Sequence, residues 1–118
     1  AMETNQSVKW AGGGFLSTPT DIVKMINGAS QILAITTLYE LIKPQSLKTG
    51  EKTGYGMGFR ISVTDKGQTI VHHGGKSVGA RAFLLVLPVE QVVVAICTNT
   101  EADFGFQEAY DIAKIFVQ

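Results

Sequence analysis

The sequence predicts an α+β fold, and three observations carry the prediction. Apolar residues recur at helical spacing between residues 19 and 43, the period changes to two from Tyr55 onward, and a helical stripe returns over residues 105 to 117. Helices, then an antiparallel meander of about four strands, then a closing helix is the element order of an α+β domain, with the C-terminal helix on one face of the sheet. A chain of 118 residues is one domain, or part of one, and can bury only a modest core.

Residues 1–10 are polar and read as an irregular segment, and the Ala ahead of Met2 reads as a residue left by tag removal. Residues 11–118 hold the patterned region. Thr18 is an N-cap, with Pro19 at the first helical position and Asp21 at the third, and the helix they start is expected to run to about Asn27-Gly28. Ile32, Leu33, Ile35, Leu38, Leu41 and Ile42 keep a helical period that Pro44 stops. Residues 45 to 54 form a polar loop.

From Tyr55 the chain alternates. Tyr55, Met57, Phe59, Ile61 and Val63 face one way and Gly56, Gly58, Arg60, Ser62 and Thr64 the other, the pattern of a half-buried strand. Asp65-Lys66-Gly67 turns the chain back into a hairpin partner at QTIVHH. ARAFLLVLP and QVVVAICTN are two further strands, apolar on both faces and joined by a turn near Pro88 to Gln91. In the final helix, Ala109, Ile112, Ala113 and Phe116 make one stripe.

Composition narrows the function classes. Apolar residues make up 45% of the chain and charged residues 17%, which favours a folded globular protein over a disordered one. Ten basic and ten acidic residues give no net charge, and hence no electrostatic footprint for nucleic acid. No apolar run reaches the roughly 18 residues that span a bilayer. The single Cys97 lies in VVVAICT, where a buried thiol acting as a small hydrophobe is the expectation, and the compartment stays open.

The stretch IVHHGGKSVG, residues 70 to 79, allows three chemical readings. A phosphate loop requires glycine five positions before Gly75, where Ile70 stands, and a helix afterwards, where a strand is expected. A metal site built on His72 and His73 fails because neighbours on a strand point to opposite faces, and no second cluster of ligands assists them. No metal or cofactor is therefore expected. The third reading places one histidine in a cleft at a strand end, with glycines that allow close backbone approach.

Four linked segments support that third reading: AGGGFLSTPTDIVKM, YGMGFRI, HHGGKSVGARAFLLVLP and VVVAICTN. Their order and spacing resemble the C-terminal part of the serine β-lactamase and penicillin-binding-protein-like hydrolases, the class C and esterase-like branch in particular. The resemblance covers about residues 10 to 118. It implies that His73-Gly74-Gly75 is the family's third active-site element, which is Lys-Thr-Gly or His-x-Gly on a sheet strand. His73 would then serve the substrate and the proton network, Gly75 would make room for the substrate, and the Lys76 backbone N–H would be one oxyanion donor, with Gly74 and Ser77 as substrate contacts. His72 would face away from the site.

The chain departs from the family pattern in two ways. No serine has lysine three positions on, so the Ser-x-x-Lys nucleophile is missing; Tyr39, Tyr55 and Tyr110 are followed two places on by Leu, Met and Ile, so Tyr-x-Asn is missing too. Lys-Thr-Gly does occur twice, at Lys48-Thr49-Gly50 and Lys52-Thr53-Gly54, but in the polar loop, where both read as solvated residues. The expectation is a C-terminal portion of a serine hydrolase that acts on amide, ester or β-lactam carbonyls through an acyl-enzyme, inactive alone, its parent extracytoplasmic by resemblance. The alternative is a non-enzymatic, self-associating binding module. Strands apolar on both faces also predict a homodimer or higher oligomer, since an uncovered apolar face is unusual in a soluble monomer.

Overall fold

Four strands pair in chain order, each antiparallel to the next, in a computed structural model that describes Ser7, residues 10–100 and residues 102–117. They are β1 (Arg60–Val63), β2 (Thr69–Ser77), β3 (Ala80–Leu87) and β4 (Val92–Thr98). Before them come α1 (Trp10–Gly13), α2 (Pro19–Ile32) and α3 (Ile35–Ile42), and after them α4 (Phe106–Ile115). This is the α+β meander with a C-terminal helix that the sequence predicts. Most of residues 1–10 lie outside the described residues.

The register sorts the side chains. His72 pairs with Arg60 on one side and Leu85 on the other, and Leu85 pairs with Val94, so Ile70, His72, Leu85, Leu87, Val92 and Val94 share one face. α4 packs there through Ala109 and Ala113, both fully buried, whose small side chains let the helix approach Ile70, Leu85 and Leu87 closely. A relay fixes it further: the Tyr110 hydroxyl donates to Gln68 Oε1 at 3.0 Å, and Gln68 Nε2 donates to Glu90 Oε1 at 2.6 Å. The helix is thereby tied to the β1–β2 and β3–β4 turns. The opposite face holds Val71, His73, Gly75, Leu84, Val86 and Val93; α2 packs against β4, and α3 lies near Ile61, Val63 and Thr69 across a groove of about 380 Å³.

Several boundaries differ from the sequence reading, each for a local reason. α2 begins as expected, with Thr18 Oγ1 accepting the Asp21 N–H at 3.2 Å, but it continues past Asn27-Gly28 to Ile32. Gly28 does not take the left-handed conformation that a glycine stop requires, and packing on β4 offsets its helix cost of about 1 kcal/mol. The second helix starts only at Ile35, because Leu33 and Ala34 are extended. β1 begins at Arg60 rather than Tyr55. Gly56 N–H donates to the Phe59 carbonyl and Met57 N–H to the Leu41 carbonyl, both at 2.8 Å, and Gly58 sits at φ +90°, so residues 55–59 turn instead of extending and Met57 is exposed.

Two further readings are corrected. Cys97 is exposed, not buried: its cross-strand neighbour is Ala82, next to Gly75, and no large side chain in that row covers it. On α4 the buried stripe runs through Phe106, Ala109, Tyr110, Ala113 and Val117, leaving Ile112 and Phe116 largely outside. The extra turn α1 carried no periodic signal. No helix among the described residues is long and apolar enough to cross a membrane.

Candidate active site

β2 outruns its neighbour β1. Arg60, the first residue of β1, pairs with His72, so from His73 to Ser77 β2 is paired only with β3 among the described residues. Val78-Gly79 closes the β2–β3 hairpin in two residues, with Gly79 at φ +73°. Ser77 and Ala80, which flank this turn, form the hydrogen-bonded pair, and the alternation of an antiparallel ladder then aims the N–H groups of Gly74 and Lys76 away from β3, at the open edge.

The two histidines have opposite environments. His72 is 8% exposed, its Nε2 is 3.0 Å from Ser62 Oγ, and its ring stacks on Phe83 and meets Phe106 edge-on. Burial, then the Arg60 guanidinium and His73, hold its pKa below the usual histidine value, so the ring is neutral at pH 7. Nδ1 is buried without a partner. His72 is a structural residue of the α4 face. His73 is exposed on the other face, and its Nε2 lies 2.6 Å from the Tyr55 hydroxyl, the rings edge-on at 6.0 Å.

The glycines have distinct settings. A Cβ on Gly74 would lie 3.1 Å from two Phe83 ring atoms, so Gly74 makes room for a core aromatic and only its backbone reaches the open edge. A Cβ on Gly75 would meet nothing within 4 Å. Gly75, Ala82 and Cys97 line up across three strands as an exposed floor of small residues beside His73. Ser77 shares this face, whereas the Lys76 side chain lies on the α4 side, so only its backbone can serve the edge. No three His, Cys, Asp or Glu residues are grouped to hold a metal among the described residues.

Tyr55, whose hydroxyl reaches His73, is the residue of this candidate site that the sequence reading missed. The second Lys-Thr-Gly copy, exposed in the loop, fixes it: Thr53 Oγ1 donates to the Gln45 carbonyl at 3.0 Å and accepts the Tyr55 N–H at 3.2 Å, while the Tyr55 carbonyl accepts the Gln45 N–H at 2.8 Å. A Cβ on Gly56 would overlap the Leu41 carbonyl, so this glycine lets the segment dock under α3. The tyrosine-glycine-x-glycine spacing was the available signal, but a strand assignment concealed it. Lys48-Thr49-Gly50 forms a turn, with the Gly50 N–H on the Leu47 carbonyl at 2.9 Å.

The Beta-lactamase family model matches residues 1–116. The chain belongs to the Beta-lactamase family. Searches of curated proteins and of solved structures found no match. On β2 the core side carries His72 and Gly74 against Phe83, and the open side carries His73 and Gly75.

Proposed function

We propose that this chain carries the strand side of a serine acyl-transfer site and that the nucleophile comes from outside its 118 residues. The observation that carries the reading is the open edge of β2, where the Lys76 N–H points outward next to the exposed His73 and the unfilled space above Gly75. A carbonyl there meets one oxyanion donor and one imidazole, with Gly74 and Ser77 bordering it. The substrate class is a small acyl compound, a β-lactam, peptide or ester, as in the penicillin-binding and class C branch. Without Ser-x-x-Lys no acyl-enzyme forms, so the chain alone gives no hydrolysis of a chromogenic cephalosporin or a p-nitrophenyl ester above background. Turnover that His73→Ala abolishes would overturn the reading. In a longer enzyme that supplies the serine, His73→Ala lowers activity much more than His72→Ala.

A second reading, self-association, rests on exposed apolar surface. Neither α2 nor α3 has a buried residue, and Phe15, Leu16, Met25, Ile32, Ile35 and Tyr39 are each at least 60% exposed. The accessible surface is 8743 Å², against about 6,200 Å² for a compact monomer of this mass. The excess exceeds the roughly 1,200–2,000 Å² that a stable interface buries. The same surface suits a nucleophile-bearing segment in the first reading and a second copy of the chain in this one. Sedimentation equilibrium over a wide concentration range gives a homodimer or higher oligomer; a folded monomer throughout would rule out the second copy.

A further inference from the structure

We propose that Tyr55 is the positioning residue for His73, its phenol O–H donating to Nε2 and holding the imidazole in the tautomer that carries its proton on Nδ1. The 2.6 Å separation is a short hydrogen bond, and the direction of donation follows from acidity, since a phenol is a far better donor than a neutral imidazole N–H. The Tyr55 hydroxyl has no other partner among the described residues, so its proton goes to Nε2. The Arg60 guanidinium lies over the Tyr55 ring, 5.6 Å from its centroid, and helps hold the ring in place.

Tyr55 arrives at this position pre-organised. Its N–H and carbonyl are both held by the residue 45–53 loop, and its neighbour Met57 is hydrogen-bonded to the end of α3, so the hydroxyl is fixed before any ligand enters. The consequence for chemistry rests on the acyl-transfer reading: with Nε2 engaged, His73 presents Nδ1–H as a donor. It therefore binds a carbonyl or carboxylate oxygen of an acyl substrate and does not abstract a proton through that nitrogen. The family third motif would then act here by donation, with Tyr55 setting the tautomer.

Imidazole ¹⁵N NMR of the isolated chain tests the tautomer without turnover, and the chain has only two histidines to assign. At a pH where the ring is neutral, wild-type His73 shows an unprotonated Nε2 and a protonated Nδ1. Tyr55→Phe keeps the ring over Arg60 and removes only the hydroxyl; His73 then loses that pattern and moves to the Nε2–H tautomer that predominates in a free side chain, while the His72 signals stay in place. A wild-type His73 already protonated on Nε2, or a pattern that Tyr55→Phe leaves unaltered, would overturn the proposal. Hydrolysis assays decide the acyl-transfer reading separately, so failure of one is distinguishable from failure of the other.

Discussion

Replacing each histidine of the pair by alanine should separate two adjacent residues by stability alone. His72 is 8% exposed, and truncation removes its hydrogen bond to Ser62 Oγ and its ring contacts with Phe83 and Phe106. The hydrogen bond contributes about 1 kcal/mol, each ring contact about 0.5–1.5 kcal/mol, and the cavity adds to both. Relief of the unpartnered, buried Nδ1 returns about 1 kcal/mol. The net cost of His72→Ala is therefore about 2–3 kcal/mol. His73 is exposed and loses the Tyr55 hydrogen bond and the edge-on contact with the Tyr55 ring, both at the surface and leaving no cavity, so His73→Ala costs about 0.5–1.5 kcal/mol. Urea unfolding followed by circular dichroism, at one protein concentration, reads the difference as midpoint shifts; at an m-value of about 1–3 kcal/mol/M, His72→Ala moves the midpoint by about 0.7–3 M. Equal shifts for the two variants, or a larger one for His73→Ala, would refute the assignment of faces.

Three other outcomes follow from the same structure. Gly74→Ala destabilises by about 1 kcal/mol, because the new methyl would lie 3.1 Å from the Phe83 ring and displace it from its stack on His72, whereas Gly75→Ala stabilises by about 0.4–1 kcal/mol, since its Cβ enters open space; paired thermal melts check both signs. Thr18→Ala removes the α2 cap and costs about 1 kcal/mol, measured as a lower urea midpoint with an unchanged m-value. The folded pKa of His72 lies below its unfolded value of 6.5, so its stabilising contribution is complete above pH 6.5 and is lost as pH falls toward the folded pKa. In that window stability falls with acid by up to about 1.4 kcal/mol per pH unit more than in His72→Gln, and parallel pH profiles would contradict it.

The sequence by itself determined the elements whose signals are local. Thr18-Pro19 sets the start of α2 because the cap needs only residues three apart, and the hairpin return at QTIVHH and the short apolar runs ARAFLLVLP and QVVVAICTN, bounded by turn residues, set the strands because such runs are read along the chain. The opposite orientation of His72 and His73 follows from the alternation of side chains along a strand. Tertiary structure decided what depends on residues distant in sequence. Gly28 stays helical because α2 packs on β4, and residues 55–59 turn because the Leu41 carbonyl takes the Met57 N–H. Cys97 is exposed because its row across the sheet is Gly75 and Ala82, a fact of register rather than of the apolar run around it. The Tyr55–His73 contact arises in the same way: the two are eighteen positions apart, and only the fold of the intervening loop and hairpin brings the Tyr55 hydroxyl to Nε2.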